Sequence, residues 1–357
     1  MRVEDRYKDG LLPLLLQIPH YFYLLQPAAP VYHVSLISPS ATMVKTRFVC
    51  VSDTHGYGTR EAAFRLPKGD VLIHAGDITN KGTVEEFRKS AQWIREADFE
   101  VKIVIAGNHD APLDKELYKG HTKFFHGKKI VNSDECLELI SAGGITYLDH
   151  TSKIIRLKRK NGPRTMFKVF GSARHPTNNF GWNAPFGYPA KSPEDARKWW
   201  SQIPSDADVV VTHTPAKNHL DLTTHHGNIG CEHLRQALWS IRPRLSICGH
   251  VHEARGYERV IWDVDDTKPG AFSETSTTVG SLPPRESKKM SRVDLTGKTY
   301  PRLANEGPKD PARSETCFIN AAILATHYPH AGGRKFNSPI VVDLDLLLDD
   351  EQEPEQN

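Results

Sequence analysis

Short, β-branched apolar runs that end on a small residue and a polar cluster recur along this chain, and they constrain its fold more than any other feature. The first three are "RFVCVS", "DVLIHAG" and "VKIVIAG". Runs of this kind are typical of buried strands. Between the second and third lies "TVEEFRKSAQWIREAD", where apolar residues recur at helical spacing and Thr83 pairs with Glu86 as a capping box. Strands that alternate with helices predict an α/β fold.

Later runs extend this pattern. Further strands are predicted at "ITYL", "KIIRLK", "MFKVFGS", "DVVVTH" and "RLSICGH", and a helix at "CEHLRQALWSI". The short spacing of the middle three of these five strands, "KIIRLK", "MFKVFGS" and "DVVVTH", predicts an antiparallel portion, so the sheets should be mixed. Two more runs, "TCFINAAIL" and "SPIVVDLDLLL", are expected to return to the sheet near the end of the chain.

Composition divides the chain into five segments. Residues 1–44 form an N-terminal extension that is expected to be disordered, and residues 45–266 form the main domain. Residues 267–314 are rich in Ser, Thr, Pro, Gly and Lys, so a disordered polar insertion is predicted there. Residues 315–346 should supply strands that complete the domain, and residues 347–357 form an acidic tail.

Charge and cysteine content favour a reduced, cytoplasmic setting. Forty-six Lys and Arg against 43 Asp and Glu give a net charge of +3, too balanced to attract nucleic acid or an anionic membrane by itself. The five cysteines lack the close spacing of a disulfide framework or a zinc knuckle. Residues 11–37 are apolar, but four prolines interrupt any spanning helix. Membrane association or secretion through this segment remains the alternative.

Aspartate, asparagine and histidine residues follow five of the predicted strands. They are Asp53 and His55, then Asp77, then Asn108, His109 and Asp110, then His213, and finally His250 and His252. Because the carboxyl ends of strands line the ligand crevice of an open α/β sheet, these residues should converge on one place. Their oxygen and nitrogen atoms suit Mn, Fe, Zn or Mg. Each cluster alone is more typical of a turn or a helix cap, whereas all five together predict a metal site.

The five clusters resemble those of a known family. "SDTHG", "GDIT", "GNHD", "VTHTP" and "GHVH" are similar to the five blocks of the calcineurin-like metallophosphoesterases. The resemblance covers about Lys45 to Tyr257 and the two C-terminal strands. Surrounding text such as "GSARHPTNNFGWNAPFG" resembles the metallophosphoesterase-domain-containing branch, which is related to cyclic-nucleotide phosphodiesterases. The fold implied is a four-layer α/β/β/α sandwich with two mixed sheets.

The resemblance also implies a dinuclear centre of two divalent metal ions about 3.5 to 4 Å apart. Asp53, His55 and His252 would hold the first ion, Asn108, His213 and His250 the second, and Asp77 would bridge the two. Such a pair of ions activates a bridging hydroxide for in-line attack on phosphorus.

Two further residues receive catalytic roles from the resemblance. His109 would protonate or stabilise the leaving group, and Asp110 would orient its imidazole. The alternative for Asp110 is a cap on a helix that begins near Pro112, and both interpretations can hold together. The protein Ser/Thr phosphatases of the same superfamily carry a phosphate-binding arginine after the second block, where this chain reads "GDITNKG".

These features predict a metal-dependent phosphodiesterase that acts on a small phosphoester, with a nucleotide as one candidate substrate. A phosphomonoesterase on the same site and a low-activity nucleotide- or partner-binding module are the alternatives. The segment "NNFGWNAPFGYP" places Phe180, Trp182, Phe186 and Tyr188 on a predicted loop that either stacks on a base or folds onto the core. Protein partners are left open.

Overall fold

Alternating strands and helices form the chain's regular structure. A computed structural model describes residues 42–61, 63–177, 184–262, 274–284, 287, 289–297, 314–326 and 333–349. The strands are β1 (Met43–Val51), β2 (Val71–Ala75), β3 (Val101–Ile105), β4 (Ile145–Tyr147), β5 (Thr151–Arg156), β6 (Thr165–Ser172), β7 (His175–Thr177), β8 (Gly187–Pro189), β9 (Val209–Thr212), β10 (Leu222–Thr223), β11 (Gly227–Asn228), β12 (Leu245–Cys248), β13 (Gly256–Trp262), β14 (Glu274–Val279), β15 (Ser291–Leu295), β16 (Glu315–Asn320) and β17 (Ile340–Leu348). The α-helices are α1 (Val84–Glu96), α2 (Lys115–His126), α3 (Ser133–Ser141), α4 (Pro193–Trp200) and α5 (Glu232–Ile241).

The main sheet consists of two halves joined edge to edge. Its strand order is β14-β13-β16-β12-β9-β6-β17-β1-β2-β3-β4, with β5 also paired to β6 and β15 to β17. The halves meet where β17 pairs with β6 through Leu347 with Met166 and Leu348 with Thr165. Strands β1 to β4 are parallel, as are β6, β9, β12 and β16, whereas β17 and β13 run antiparallel to these strands. The predicted mixed pairing is therefore confirmed, but of the middle three predicted strands only β5 and β6 pair antiparallel, because β9 runs parallel to β6.

Three apolar cores define the four layers. One core combines residues of the two halves, such as Phe48 of β1, which packs against Phe167 of β6 with ring centroids 5.3 Å apart. A second core joins the first half to α1 and α3, and a third joins the second half to α4 and α5. Each fully buried Phe contributes about 1.5 to 3 kcal/mol relative to an exposed one. The arrangement is the predicted α/β/β/α sandwich.

The predicted boundaries need correction at three places. Strands β14 and β15 lie inside residues 267–314, where disorder was expected. Backbone pairing with β13 and β17 stabilises them, and Ser291 and Val293 of β15 are buried. Strand β1 begins at Met43, within the predicted N-terminal extension, and β17 ends at Leu348, within the predicted acidic tail. Residues 1–41 and 350–357 lie outside the described residues, as do 263–273 and 298–313 of the region around the insertion.

Helix α1 forms where the sequence predicts it. Thr83 accepts a hydrogen bond from the Glu86 backbone, and Glu86 accepts one from the Thr83 backbone, each at 3.2 Å. This reciprocal capping satisfies two backbone donors that the helix itself leaves free. Among the helices described, none combines the length and apolar character that crossing a bilayer requires.

Candidate metal centre

The predicted ligands meet at the carboxyl ends of the parallel strands. Asp53 and His55 follow β1, Asp77 follows β2 and Asn108 follows β3, and these three strands are neighbours. His213 follows β9, and His250 and His252 follow the adjacent β12. Because the two halves of the sheet pack against each other, these seven side chains form one cluster.

Asp53, His55 and His252 form the first group of candidate ligands. His252 Nε2 lies 3.3 Å from Asp53 Oδ1 and 3.3 Å from His55 Nε2. One ligand atom from each of these three residues lies within 4.8 Å of the others. Such a group of nitrogen and oxygen atoms is the environment that a divalent cation requires.

Asn108, His213 and His250 form the second group. Asn108 Oδ1 lies 2.9 Å from His213 Nε2 and 2.9 Å from His250 Nδ1. Asp77 lies between the groups, with Oδ1 3.5 Å from His213 Nε2 and Oδ2 3.8 Å from His55 Nε2. A carboxylate in this position has one oxygen facing each group, as a bridging ligand requires.

Backbone carbonyls hold two of the imidazoles in place. His213 Nδ1 donates to the carbonyl of Ala75 at 3.0 Å, and His252 Nδ1 donates to the carbonyl of Thr326 at 3.3 Å. These bonds turn the Nε2 atom of each ring toward the cluster. Outer hydrogen bonds of this kind fix the tautomer and the orientation of metal-binding histidines. Neither carbonyl is marked by any residue pattern in the sequence.

The backbone at the site is strained. Asp53, His55, Asp77 and His250 all have positive φ, between 47° and 67°. Residues with side chains rarely adopt this region, and each instance costs on the order of 1 kcal/mol or more. Its concentration at four predicted ligands indicates that the surrounding fold fixes their positions.

Two glycines leave room for the ligands. A Cβ on Gly107 would lie 2.3 Å from the Asp77 backbone nitrogen and carboxylate, and 2.7 Å from His213. A Cβ on Gly249 would lie 2.1 Å from the Asp53 carboxylate. The glycines of "GNHD" and "GHVH" are therefore required by close packing of the ligands.

The two carboxylates of the cluster are held in the ionised form. Burial opposes ionisation of Asp77, but the charges of His213 and His109 outweigh it and hold the pKa of Asp77 well below its usual value. The hydrogen bond with His252 likewise overcomes burial and lowers the pKa of Asp53. Burial and the charge of His213 lower the pKa of His250 to about 3, so that imidazole is neutral. Ionised carboxylates beside a neutral imidazole form a donor set that fits Mn, Fe, Zn or Mg.

His109 lies beside the first group. Its ring centroid is 4.7 Å from that of His55, and its backbone N–H donates to Asp77 Oδ1 at 2.8 Å. Its Nδ1 donates to the carbonyl of Asn80 at 2.8 Å, so Nε2 is the ring nitrogen that this hydrogen bond does not use. Burial lowers the pKa of His109, but the Asp77 charge and the Asn80 hydrogen bond raise it by more.

Asp110 occupies the N-cap position of the 3-10 helix at Ala111–Leu113, but its side chain bonds elsewhere. Its carboxylate accepts the backbone N–H groups of Ile78, Thr79 and Gly107 at 3.1, 2.9 and 2.8 Å. The imidazole of His109 is held by Asn80, and the 3-10 helix at Ala111–Leu113 receives no side-chain cap from Asp110. Asp110 therefore ties the loop after β2 to the loop after β3, which carries Asn108.

Two of the four aromatic residues of the predicted loop, Phe186 and Tyr188, lie in the part of the chain that the structure describes. Phe186 and Tyr188 are buried, so the interpretation as a segment folded onto the core is correct for these two. Tyr188 donates to Cys231 Sγ at 3.1 Å, and the Phe186 backbone donates to Asp114 at 2.6 Å. Phe180 and Trp182 lie outside the described residues.

His175 is a site residue that sequence reasoning missed. Its ring centroid lies 5.6 Å from that of His250 and 6.5 Å from that of His213. It follows β6, the strand beside β9, so the rule that located the other ligands would also have located His175.

A family model and several curated proteins are similar to this chain. A family model described as calcineurin-like phosphoesterase matches residues 46–254. Metallophosphoesterase domain-containing protein 1 from Homo sapiens is 32% identical over 250 residues, which are 67% of this chain and 68% of that protein. Probable rhamnogalacturonate lyase C from Emericella nidulans is 42% identical over 220 residues. These are 61% of this chain, which spans only 18% of that protein.

Among solved structures, the crystal structure of TT1561 from Thermus thermophilus matches with a TM-score of 0.37 and 14% identity. The match covers 57% of this chain and 81% of that one. This TM-score is too low for the match to show a shared fold.

Proposed function

The chain belongs to the calcineurin-like phosphoesterase family, and on this premise we propose that it is a metal-dependent phosphodiesterase. The observation that carries the proposal is the position of Asp77 between two groups of ligands. Two divalent cations bound there would neutralise charge on phosphoryl oxygens and make a bound water more acidic. Asp53, His55 and His252 would hold one cation, and Asn108, His213 and His250 the other.

His109 supplies the general acid in this proposal. The Asn80 carbonyl fixes Nδ1, and although burial lowers the pKa of His109, the Asp77 charge and the Asn80 hydrogen bond raise it by more, which favours a proton on the imidazole. The proton at Nε2 can therefore pass to the departing alkoxide oxygen. Asp110 acts as a positioning residue, because it holds together the two loops that carry Asp77 and Asn108.

A diester is favoured over a monoester by charge. A phosphomonoester dianion carries one more negative charge than a diester, and enzymes that bind such dianions commonly add an arginine. After Asp77 this chain places Ile78 and Thr79, both buried, and then Asn80, so no guanidinium stands at this point. Phosphomonoesterase activity on the same site is the competing function.

The test compares hydrolysis of bis(p-nitrophenyl) phosphate with hydrolysis of p-nitrophenyl phosphate, each in the presence of Mn²⁺. We expect the wild type to prefer the diester, and Asp77→Asn to lose activity by about 100-fold or more. Asp206→Asn is the matched control, since the Asp206 side chain is 66% exposed and pairs with Lys168 away from the site. A metal-loaded wild type that is as slow as Asp77→Asn on both esters would refute the proposal, and a preference for the monoester would favour the competing function.

A further inference from the structure

We propose that His175 contacts the substrate by accepting, through Nε2, a hydrogen bond from a hydroxyl group next to the ester oxygen. The inference rests on the proposed function, because it concerns the alcohol part of a phosphoester bound at the same site. It narrows the substrate class to phosphoesters of polyols, of which ribonucleotides are one example.

The position of His175 supports this role. The residue begins β7, three residues after β6 ends, and it is 3% exposed. Its ring lies closer to that of His250, in the second group of ligands, than to that of His213. It therefore lies beside the place where the ester would bind.

The hydrogen bonds of His175 leave one nitrogen without a partner. Its Nδ1 donates to the carbonyl of Ala173 at 3.4 Å, so the lone pair of this tautomer is on Nε2. Across the described part of the chain no residue bonds to Nε2. Nε2 is not among the fully buried atoms that lack a partner, so it retains contact with solvent, and a ligand hydroxyl can take the place of a water there.

Geometry and chemistry select a hydroxyl group as that partner. His213 Nε2 and His250 Nδ1 each lie 2.9 Å from Asn108 Oδ1, whereas among the residues described no proposed ligand forms a hydrogen bond with His175. A direct metal ligand is therefore not indicated. A phosphoryl oxygen is an acceptor and cannot pair with a lone pair, whereas the hydroxyl of a sugar or of glycerol donates to it.

The experiment measures binding of 3′-AMP and 2′-deoxy-3′-AMP to the Mn²⁺-loaded protein by calorimetry. The pair differs only in the hydroxyl next to the ester. We expect the wild type to prefer 3′-AMP by about 3- to 10-fold, the range of one hydrogen bond. His175→Ala should bind both equally, and His175→Gln, which restores an acceptor, should recover part of the preference. An equal affinity in the wild type, or an unchanged preference in His175→Ala, would overturn the inference.

Two controls separate this inference from the proposed function. Turnover of bis(p-nitrophenyl) phosphate by the wild type tests the proposed function on an ester that offers no hydroxyl group to His175. Metal content measured by mass spectrometry should equal that of the wild type, and a lost ion would instead identify His175 as a ligand and overturn the inference. Absence of diester hydrolysis in the wild type would contradict the proposed function alone, because the nucleotide preference is read from binding.

Discussion

Replacing Gly107 by alanine is expected to disable the metal centre while leaving most of the fold intact. The added Cβ would lie 2.3 Å from two atoms of Asp77 and 2.7 Å from His213, whereas ordinary contacts begin at about 3.4 Å. Asp77 must therefore move by about 1 Å, and a displacement of that size at a reacting centre costs about 100-fold in rate. Overpacking should also lower the free energy of unfolding by about 1 to 3 kcal/mol.

Gly120→Ala provides the matched control for this variant. Gly120 lies within α2, and a Cβ there would meet no atom within 4 Å. The same substitution should leave activity unchanged, and because the helix is kinked at the neighbouring His121, the free energy of unfolding should change by less than about 1 kcal/mol. The assay combines Mn²⁺-dependent hydrolysis of bis(p-nitrophenyl) phosphate with metal content and urea unfolding. If Gly107→Ala bound two ions and matched the wild-type rate, the steric argument for the ligand cluster would be refuted.

Two further predictions concern histidines. His109→Ala should lower kcat by about 100- to 10,000-fold on a diester with an alkoxide leaving group. The loss should be far smaller on bis(p-nitrophenyl) phosphate, because its leaving group needs little protonation. Equal losses on the two substrates would contradict the general-acid role. Buried His219 contacts Glu258 at 3.1 Å and Glu274 at 3.0 Å, and although burial lowers its pKa, these carboxylates raise it by more. Its stabilising effect should therefore be complete below about pH 6.5 and disappear as pH rises through the raised folded pKa. Unfolding free energies of wild type and His219→Gln should converge over that range, and a constant difference would argue against this linkage.

The sequence predicted the ligand cluster because strand direction alone brings those residues together. Once "RFVCVS", "DVLIHAG" and "VKIVIAG" are recognised as parallel strands, Asp53, Asp77 and Asn108 must lie at the same sheet edge. Helix α1 could also be predicted from the sequence, because Thr83 and Glu86, which cap it, are only three residues apart.

Contacts between distant segments were decided only by the tertiary structure. The Ser- and Thr-rich strands β14 and β15 are stabilised by pairing with β13 and β17, which local composition does not reveal. The Thr326 carbonyl that orients His252 and the Asn80 carbonyl that holds His109 belong to the backbone, so no residue type marks them.

For Asp110, the sequence determined the position of the residue, and the tertiary structure determined its contacts. Its place in "GNHD" identifies a residue near the ligands, but the direction of its side chain depends on where the loop after β2 lies. Sequence by itself determined which residues reach the sheet edge, because strand polarity and alternation are local properties. Only the folded chain decided which atom each side chain faces, because that depends on backbone groups brought together from remote parts of the chain.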